Sequence, residues 1–417
     1  MEQNKSVRFP DGFLWGAATS AYQVEGMNTA SDWWAWEQDE IKKPHPKVKD
    51  ASGKACDHYN RFDGDFALAE RLGHNAHRFS IEWARIQPHE GEWSMEAVAH
   101  YKEVFASLRA HHLEPFVTMY HFTLPQWIAE RGGWLNPRIV EWFRSYAEFL
   151  MEHLGAEATF WATMNEPLAI VDSGFRRGVW APGRASGWSA TIRSFWNMRS
   201  AHRAAYEAAR KIAKEKSLSV SIGVVHNLVV FEAYNKRNIA DRICAAALNF
   251  IFVRAHLYLF LKPADFLGAN FYFKTRSHFD IRRPQEMLWG RTDETEPRSD
   301  MGWAIRPDGI AIVLRAARSV GVPIYITENG IADKDDSRRS DFIVKHLRYV
   351  HEAIAEGADV RGYFYWSLLD NFEWAWGFEP RFGLCEVDYS DFSRTPRKSA
   401  FVYEHIARNN ALEESLM

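Results

Sequence analysis

Eight short apolar runs recur along the whole chain with helix-like stretches between them, and this alternation constrains the fold more than any other feature. The runs cover 13–19, 76–82, 115–121, 159–165, 219–226, 265–272, 323–328 and 362–366. Several are almost continuously apolar and end on a polar residue, as parallel strands covered on both faces do. Amphipathic stretches at 101–111, 138–154, 203–214 and 340–356 lie between them. Strand and helix in alternation predict parallel βαβ units, and eight such strands can close a barrel. A chain of 417 residues could also hold two doubly wound domains. No Pro/Gly/Ser-rich linker, internal repeat or low-complexity segment divides it. The expectation is an α/β fold, one (β/α)8 TIM barrel spanning residues 1–417.

Charge and cysteine usage exclude several function classes. Hydrophobic residues make up 47% and charged residues 25%, which rules out a disordered, collagen-like or coiled-coil chain. With 51 Lys and Arg against 54 Asp and Glu, net charge is −3, so nucleic-acid binding is not expected. Cys56, Cys244 and Cys385 are odd in number and far apart, neither a disulfide framework nor a metal-ligand set, and they suit a reducing compartment. Met1 to Arg8 is polar and no apolar run precedes Phe9, so no secretory signal is read there and the expected location is the cytoplasm. The stretch 243–261 is the most membrane-like, but Asn249, Arg254 and His256 interrupt it. It falls short of an unbroken span of ~20 residues. A largely buried helix is expected there, and no membrane contact.

Aromatics reach 15%, with 18 Trp, 15 Tyr and 28 Phe. A large core explains most of that, because each ring buries much area. A sugar site is the sharper alternative, since sugar C–H faces pack on indole while the hydroxyls need polar partners. The strand ends favour the second. In a (β/α)8 barrel the active site gathers at the C-terminal ends of the strands. Those positions hold Gln23, Arg78, Glu82, His121, Asn165, Glu166, Asn270, Tyr272, Glu328, Asn329 and Trp366, with Glu373 and Trp374 on the last loop.

Two of these are carboxyls in polar-flanked motifs, Thr163-Met164-Asn165-Glu166-Pro167 and Ile326-Thr327-Glu328-Asn329-Gly330. If the fourth and seventh strands close into one barrel, both can face one cavity. Two carboxyls on a sugar are the minimal machinery of glycoside hydrolysis: one protonated to serve the leaving oxygen, one ionised to attack or to activate water. Holding those states at one pH requires environments that separate the two proton affinities.

These motifs, with 13–26, Arg78-Phe79-Ser80-Ile81-Glu82-Trp83, the segment 366–374 and Arg381-Phe382-Gly383-Leu384, resemble glycoside hydrolase family 1 almost from end to end. The resemblance implies a retaining, exo-acting β-glycosidase, chiefly a β-glucosidase with β-galactosidase and β-fucosidase activity. Glu166 matches the general acid/base and Glu328 the nucleophile, with carboxyl groups ~5–5.5 Å apart. Arg78, Asn270 and Tyr272 match residues that support the nucleophile region, and Asn165 matches the contact to the sugar 2-hydroxyl. Gln23, His121, Glu373 and Trp374 match the outer-hydroxyl contacts, Trp366 the floor beneath the sugar and Phe382 a wall position. No metal or organic cofactor is implied. The implied partners are small β-glycosides or short oligosaccharides, and a homo-oligomer is compatible with the pattern.

Two departures bear on specificity. Phe122 follows His121 where many members have tryptophan, so one N–H donor to the 3-hydroxyl is missing. The region 243–306 is short, which alters the surroundings of the leaving group. Glu373 speaks against 6-phosphosugars, because its charge repels phosphate. A catalytically dead sugar-binding barrel would lack one of the two carboxyls, and both are here. An enzyme that mainly transfers glycosyl groups would use the same residues.

Overall fold

The computed structural model describes residues 6–260, 262–283 and 296–413. Eight parallel strands form a closed barrel: β1 (Leu14–Ala18), β2 (Ala76–Ser80), β3 (Glu114–Thr118), β4 (Phe160–Asn165), β5 (Ser221–Asn227), β6 (Phe266–Asn270), β7 (Ile324–Asn329) and β8 (Val360–Trp366). Each strand pairs with the next, and β8 returns to β1 through Trp366 opposite Ala18. All eight expected strands are present, with ends shifted by a few residues. Helices pack outside, among them Met95–Ala110, Ile139–Leu154, Gly187–Glu215 and Arg339–Ala355. Each buries an apolar stripe against the strands; Ile139–Leu154 buries Trp142, Phe143, Tyr146, Leu150 and Leu154.

The lower barrel is filled by rings. Phe116 lies 5.1 Å from Phe364, 5.2 Å from Phe266 and 5.4 Å from Tyr325, centroid to centroid. This plug leaves the C-terminal rim as the open end. Register then sets that rim: Asn227 of β5 lies opposite Asn270 of β6, and Asn270 opposite Glu328 of β7. Strand β7 slips register between Ile326 and Glu328, a local irregularity of the kind that re-aims a side chain. Glycine follows immediately for a steric reason: a Cβ on Gly330 would lie 1.8 Å from the Trp366 carbonyl oxygen.

The helix expected to be largely buried is not. It runs Ile239–Phe260 and turns Val253, His256, Leu257 and Phe260 inward. Its other face carries Ile239 (68% exposed), Ile243 (65%), Phe250 (60%) and Tyr258 (76%) into solvent. Apolar residues ring this helix on every side, so periodicity gives no indication of which face the barrel leaves uncovered. Residue 261 and residues 284–295, inside the short region 243–306, lie outside the described residues.

Candidate active site

Glu166 and Glu328 are both buried at the C-terminal rim, joined by one hydrogen-bond network. Glu328 accepts from Arg78 Nη1 at 2.5 Å on Oε1 and from the Tyr272 hydroxyl at 2.6 Å on Oε2. Arg78 is fixed on its other donors by Thr118 Oγ1 and by Asn165 Oδ1 at 2.8 Å. Asn270 Nδ2 reaches the same Asn165 oxygen at 3.2 Å and donates to Glu166 Oε1 at 2.6 Å. The second Glu166 oxygen accepts from Asn227 Nδ2 at 3.2 Å. Thr327 donates to Asn270 Oδ1 at 2.7 Å, which fixes the orientation of that amide.

The two carboxyls therefore live in different surroundings. Glu328 takes a guanidinium and a phenol, one on each oxygen, and charge-assisted bonds of this kind favour an ionised acceptor. Glu166 takes only neutral amides. Burial first, then the nearby charge of Glu328, pushes the Glu166 carboxyl above its ordinary range, against the opposing pull of Asn270, Asn227 and Arg78. Burial, reinforced by Glu328, likewise raises the Tyr272 phenol and keeps it a donor. The Glu166 backbone is left-handed, with φ +41° and ψ 62°, and Pro167 starts the next short helix. A non-glycine residue held there stores strain. Here it turns the side chain off the end of β4 and into the cavity.

The outer part of the cavity is lined by aromatics and a third carboxyl. His121 stacks between two indoles, 6.0 Å from Trp366 and 6.2 Å from Trp374. Trp374 stacks in turn on Tyr22 at 5.7 Å. Asn165 must donate from Nδ2, because its oxygen accepts from Arg78 and Asn270. His121 Nε2, 3.2 Å from that nitrogen, is therefore an acceptor and Nδ1 carries the hydrogen. Burial, then Arg78, lowers the imidazole well below its ordinary value, so the ring is neutral. Glu373 is bonded by Trp366 and Gln23, and burial together with Glu328 raises it to about 8. Gln23 accepts from Ser20 at 2.7 Å and donates to the Phe372 carbonyl and Glu373, tying the first strand to the last loop.

The other rim candidates fall elsewhere. Glu82 lies behind the rim, capping Trp83–Ile86 through Ala84 N and accepting from Thr123. Asn329 is structural, bonded to the Phe271 carbonyl and Tyr363. Phe382 is buried and packs against Tyr272 and Trp303 at 6.2 and 6.1 Å. At the opposite barrel end a hollow of about 610 Å³ is lined by Leu14, Phe160, Tyr325, Asp359 and Arg361. Its two carboxyls are Asp11 and Asp359, and Asp359 is held by Arg361 on both oxygens.

Comparison with known proteins covers the chain almost from end to end. The sequence profile of glycosyl hydrolase family 1 matches residues 5–262 and 255–412. The chain belongs to glycosyl hydrolase family 1. It is similar to Beta-glucosidase A of Thermotoga maritima, 34% identical over 98% of this chain and 99% of that one. It is also similar to a Beta-galactosidase of Pyrococcus woesei, 30% identical over 98% of each. Among solved structures, a beta-glycosidase from Pyrococcus horikoshii superposes with a TM-score of 0.89 at 37% identity, covering 99% of this chain and 97% of that one.

This family 1 hydrolase also uses residues that sequence reading passed over. Asn227, one position beyond the expected fifth strand, bonds Glu166. Its signal was a polar residue at a strand end, the criterion that found the others. Thr118 and Thr327 brace Arg78 and Asn270. Trp303 packs on Tyr272 at 5.6 Å, and nothing local in the sequence connects the two.

Proposed function

We propose that this family 1 hydrolase removes terminal β-D-glycosyl residues with retention, preferring β-glucosides and accepting β-galactosides and β-fucosides. Glu328 attacks the anomeric carbon as the C–O bond to the aglycone breaks, and Glu166 gives its proton to the departing oxygen. Water then adds to the anomeric carbon, returns a proton to Glu166 and frees Glu328. The observation that carries the reading is the contrast in donors: a guanidinium and a phenol on Glu328, neutral amides alone on Glu166. Such an arrangement keeps a base and an acid side by side at one pH.

The cavity has spare hydrogen-bonding capacity where a sugar needs it. Asn165 keeps one amide hydrogen for the 2-hydroxyl, and His121 offers Nδ1–H. Gln23 and Glu373 take outer hydroxyls, with Trp366 and Trp374 against the apolar face. Glu373 has Gln23 and Trp366 as partners and no cation among the described residues, which disfavours a 6-phosphate even with its carboxyl raised. Phe122 removes one N–H donor and with it part of the discrimination between epimers. That relaxed reading agrees with relatives named β-glucosidase and β-galactosidase. The three free cysteines support a place in the cytoplasm, in the breakdown of small β-glycosides.

The test is the anomer first released from a p-nitrophenyl β-glucoside, followed by NMR. β-Glucose appearing before mutarotation supports the reading, and α-glucose overturns it. Added alcohol reports how far transfer competes with hydrolysis, and aryl glycosides differing in the first sugar rank the substrates.

A further inference from the structure

The exposed face of helix Ile239–Phe260 does not stand alone. On the neighbouring helix Gly187–Glu215, Trp188 (69% exposed), Ile192 (56%) and Trp196 (45%) follow at four-residue spacing, which is one stripe along one side. The two helices meet at the C-terminal end of Ile239–Phe260: Phe195 lies 5.6 Å from Phe260, and Arg199 Nε donates to the Leu259 carbonyl at 2.6 Å. Arg199 also covers the Trp196 ring at 5.5 Å. The stripe and the Ile243–Phe250–Tyr258 face thus lie on two helices that adjoin at residues 256–260, and together they exceed the scattered apolar residues normal on a surface.

This wall is rimmed by positive charge, although the chain as a whole carries −3. No Asp or Glu occurs from Ser173 to Tyr206. From Ala233 to Ala264 there is only Asp241, which is buried and bonded to the backbone N–H of Asn235 and Phe279. Arg193, Arg203, Lys236, Arg237, Arg242 and Arg254 are exposed and form no ion pair among the described residues.

We propose that this wall docks on an anionic lipid surface. Exposed Trp, Tyr, Phe and Ile framed by Arg and Lys is the composition of interfacial elements that sink an apolar face to the acyl boundary and hold headgroup phosphates with their rim. A second copy fits poorly, because a two-fold contact sets the same unpaired cations against one another. The helix does not cross the bilayer: β5 and β6 hold both of its ends in the barrel. Docking of this kind would depart from the expectation of no membrane contact, and an anionic cytoplasmic leaflet is compatible with a cytoplasmic enzyme.

Sedimentation of the full chain with vesicles tests it. The chain should bind phosphatidylcholine vesicles containing phosphatidylglycerol, more weakly in high salt and on phosphatidylcholine alone. Arg242→Gln with Arg254→Gln should cut binding about twenty-five-fold, at about fivefold per cation near the surface. Ile243→Ser with Phe250→Ser and Tyr258→Ser should abolish it, while both variants hydrolyse a soluble aryl β-glucoside as the parent does. No binding by the parent, or equal binding by parent and both variants, overturns the proposal. So does a parent dimer in analytical ultracentrifugation that the triple serine variant disperses, since the occupant is then another copy.

Discussion

Arg78 Nη1 lies 2.5 Å from Glu328 Oε1, although 250 positions of chain separate the two residues. The barrel makes that contact, by setting β2 and β7 around one cavity. The Arg78 guanidinium and the Tyr272 phenol each hold one Glu328 oxygen, which fixes the carboxyl in the orientation that the proposed attack requires. Replacing Glu328 by Gly should lower kcat by at least about 10⁴-fold, the scale on which loss of a nucleophile is felt. Azide, a small anion able to enter the space, should restore turnover and yield the α-glycosyl azide. Product analysis by NMR checks both; no rescue, or a β-azide, removes Glu328 from the role.

In the proposed mechanism Glu166 supplies the proton, so the effect of its loss should depend on the leaving group. Glu166→Ala should slow alkyl glucosides by about 10²–10⁴-fold, the usual contribution of a positioned acid. Dinitrophenyl glucosides, which leave without protonation, should lose far less in the first step. A Brønsted plot of log kcat/KM against leaving-group pKa separates the cases. An equal loss across the series means that Glu166 is not the donor.

The raised proton affinity of Glu166 sets the alkaline limb of the pH profile. In the proposed mechanism the acid form is the active one, so kcat/KM should fall as pH rises through its raised value. Glu328 is the second cause of that shift, after burial. Glu328→Gln should therefore move the Glu166 titration down, as read by carboxyl infrared difference spectra. A carboxyl that titrates unchanged in Glu328→Gln would show that burial alone sets it.

The parts of this molecule legible in the sequence are those where one local pattern and one role coincide. Eight apolar runs give eight strands, and a polar residue at a run's end gives a rim position. Glu328, Asn329 and Gly330 illustrate both the reach and the limit of that reading. Glu328 faces the cavity, Asn329 braces the backbone beneath it, and Gly330 is required by the Trp366 carbonyl. Residue type alone does not separate the first two. Glu82 has the same spacing and chemistry as the site residues, yet the turn after β2 carries it behind the rim to Thr123. Asn227 lies one residue beyond the fifth apolar run, 219–226, so the strand-end criterion does not reach it. Exposure of helix Ile239–Phe260 depends on which side the barrel covers, a property of packing that the helix's own residues do not encode.

Glu373 should discriminate at the outer hydroxyls. A buried hydrogen bond to a charged or strongly polar group contributes about 1.5–3 kcal/mol. Glu373→Ala should therefore reduce kcat/KM for β-glucosides about 10- to 100-fold more than for β-fucosides, which lack the 6-hydroxyl. Paired kinetics on the two p-nitrophenyl substrates give the ratio. A ratio unchanged from the parent places Glu373 away from that hydroxyl.

The loop carrying Glu373 is anchored by Asp370, which takes Arg397 on both oxygens at 3.0 and 2.7 Å. Both side chains are buried. Without Arg397 the buried Asp370 keeps only the longer contact to Arg381 at 3.4 Å, and breaking a buried pair costs up to about 3–5 kcal/mol. Arg397→Ala should lower Tm sharply in calorimetry and raise KM for glucosides as the loop loosens. A Tm within a degree or so of the parent would mean that the neighbouring Arg381 replaces the lost partner.

Stability itself should depend on pH through buried groups other than Glu166 and Glu328. Burial raises Asp32 to about 8 and Glu82 to about 7, as it does Glu373. Above about pH 4 the unfolded chain has released these protons and the folded one has not. Each such carboxyl then removes about 1.4 kcal/mol of stability per pH unit until its folded value is reached. Burial acts oppositely on imidazoles: His74 and His256 are lowered to about 3, His202 and His346 to about 4. Their contribution is present above about 6.5, the ordinary histidine value, and is lost as pH falls below it. Between about 6.5 and 8 only the carboxyls act, so Tm should decline across that window. Asp32 accepts from the Trp33 and Leu124 N–H groups on one oxygen, and an amide oxygen can do the same. Asp32→Asn should thus retain the fold and flatten the decline in Tm measured from pH 6.5 to 8. An alkaline slope identical to the parent's would show that Asp32 is already ionised in the folded chain.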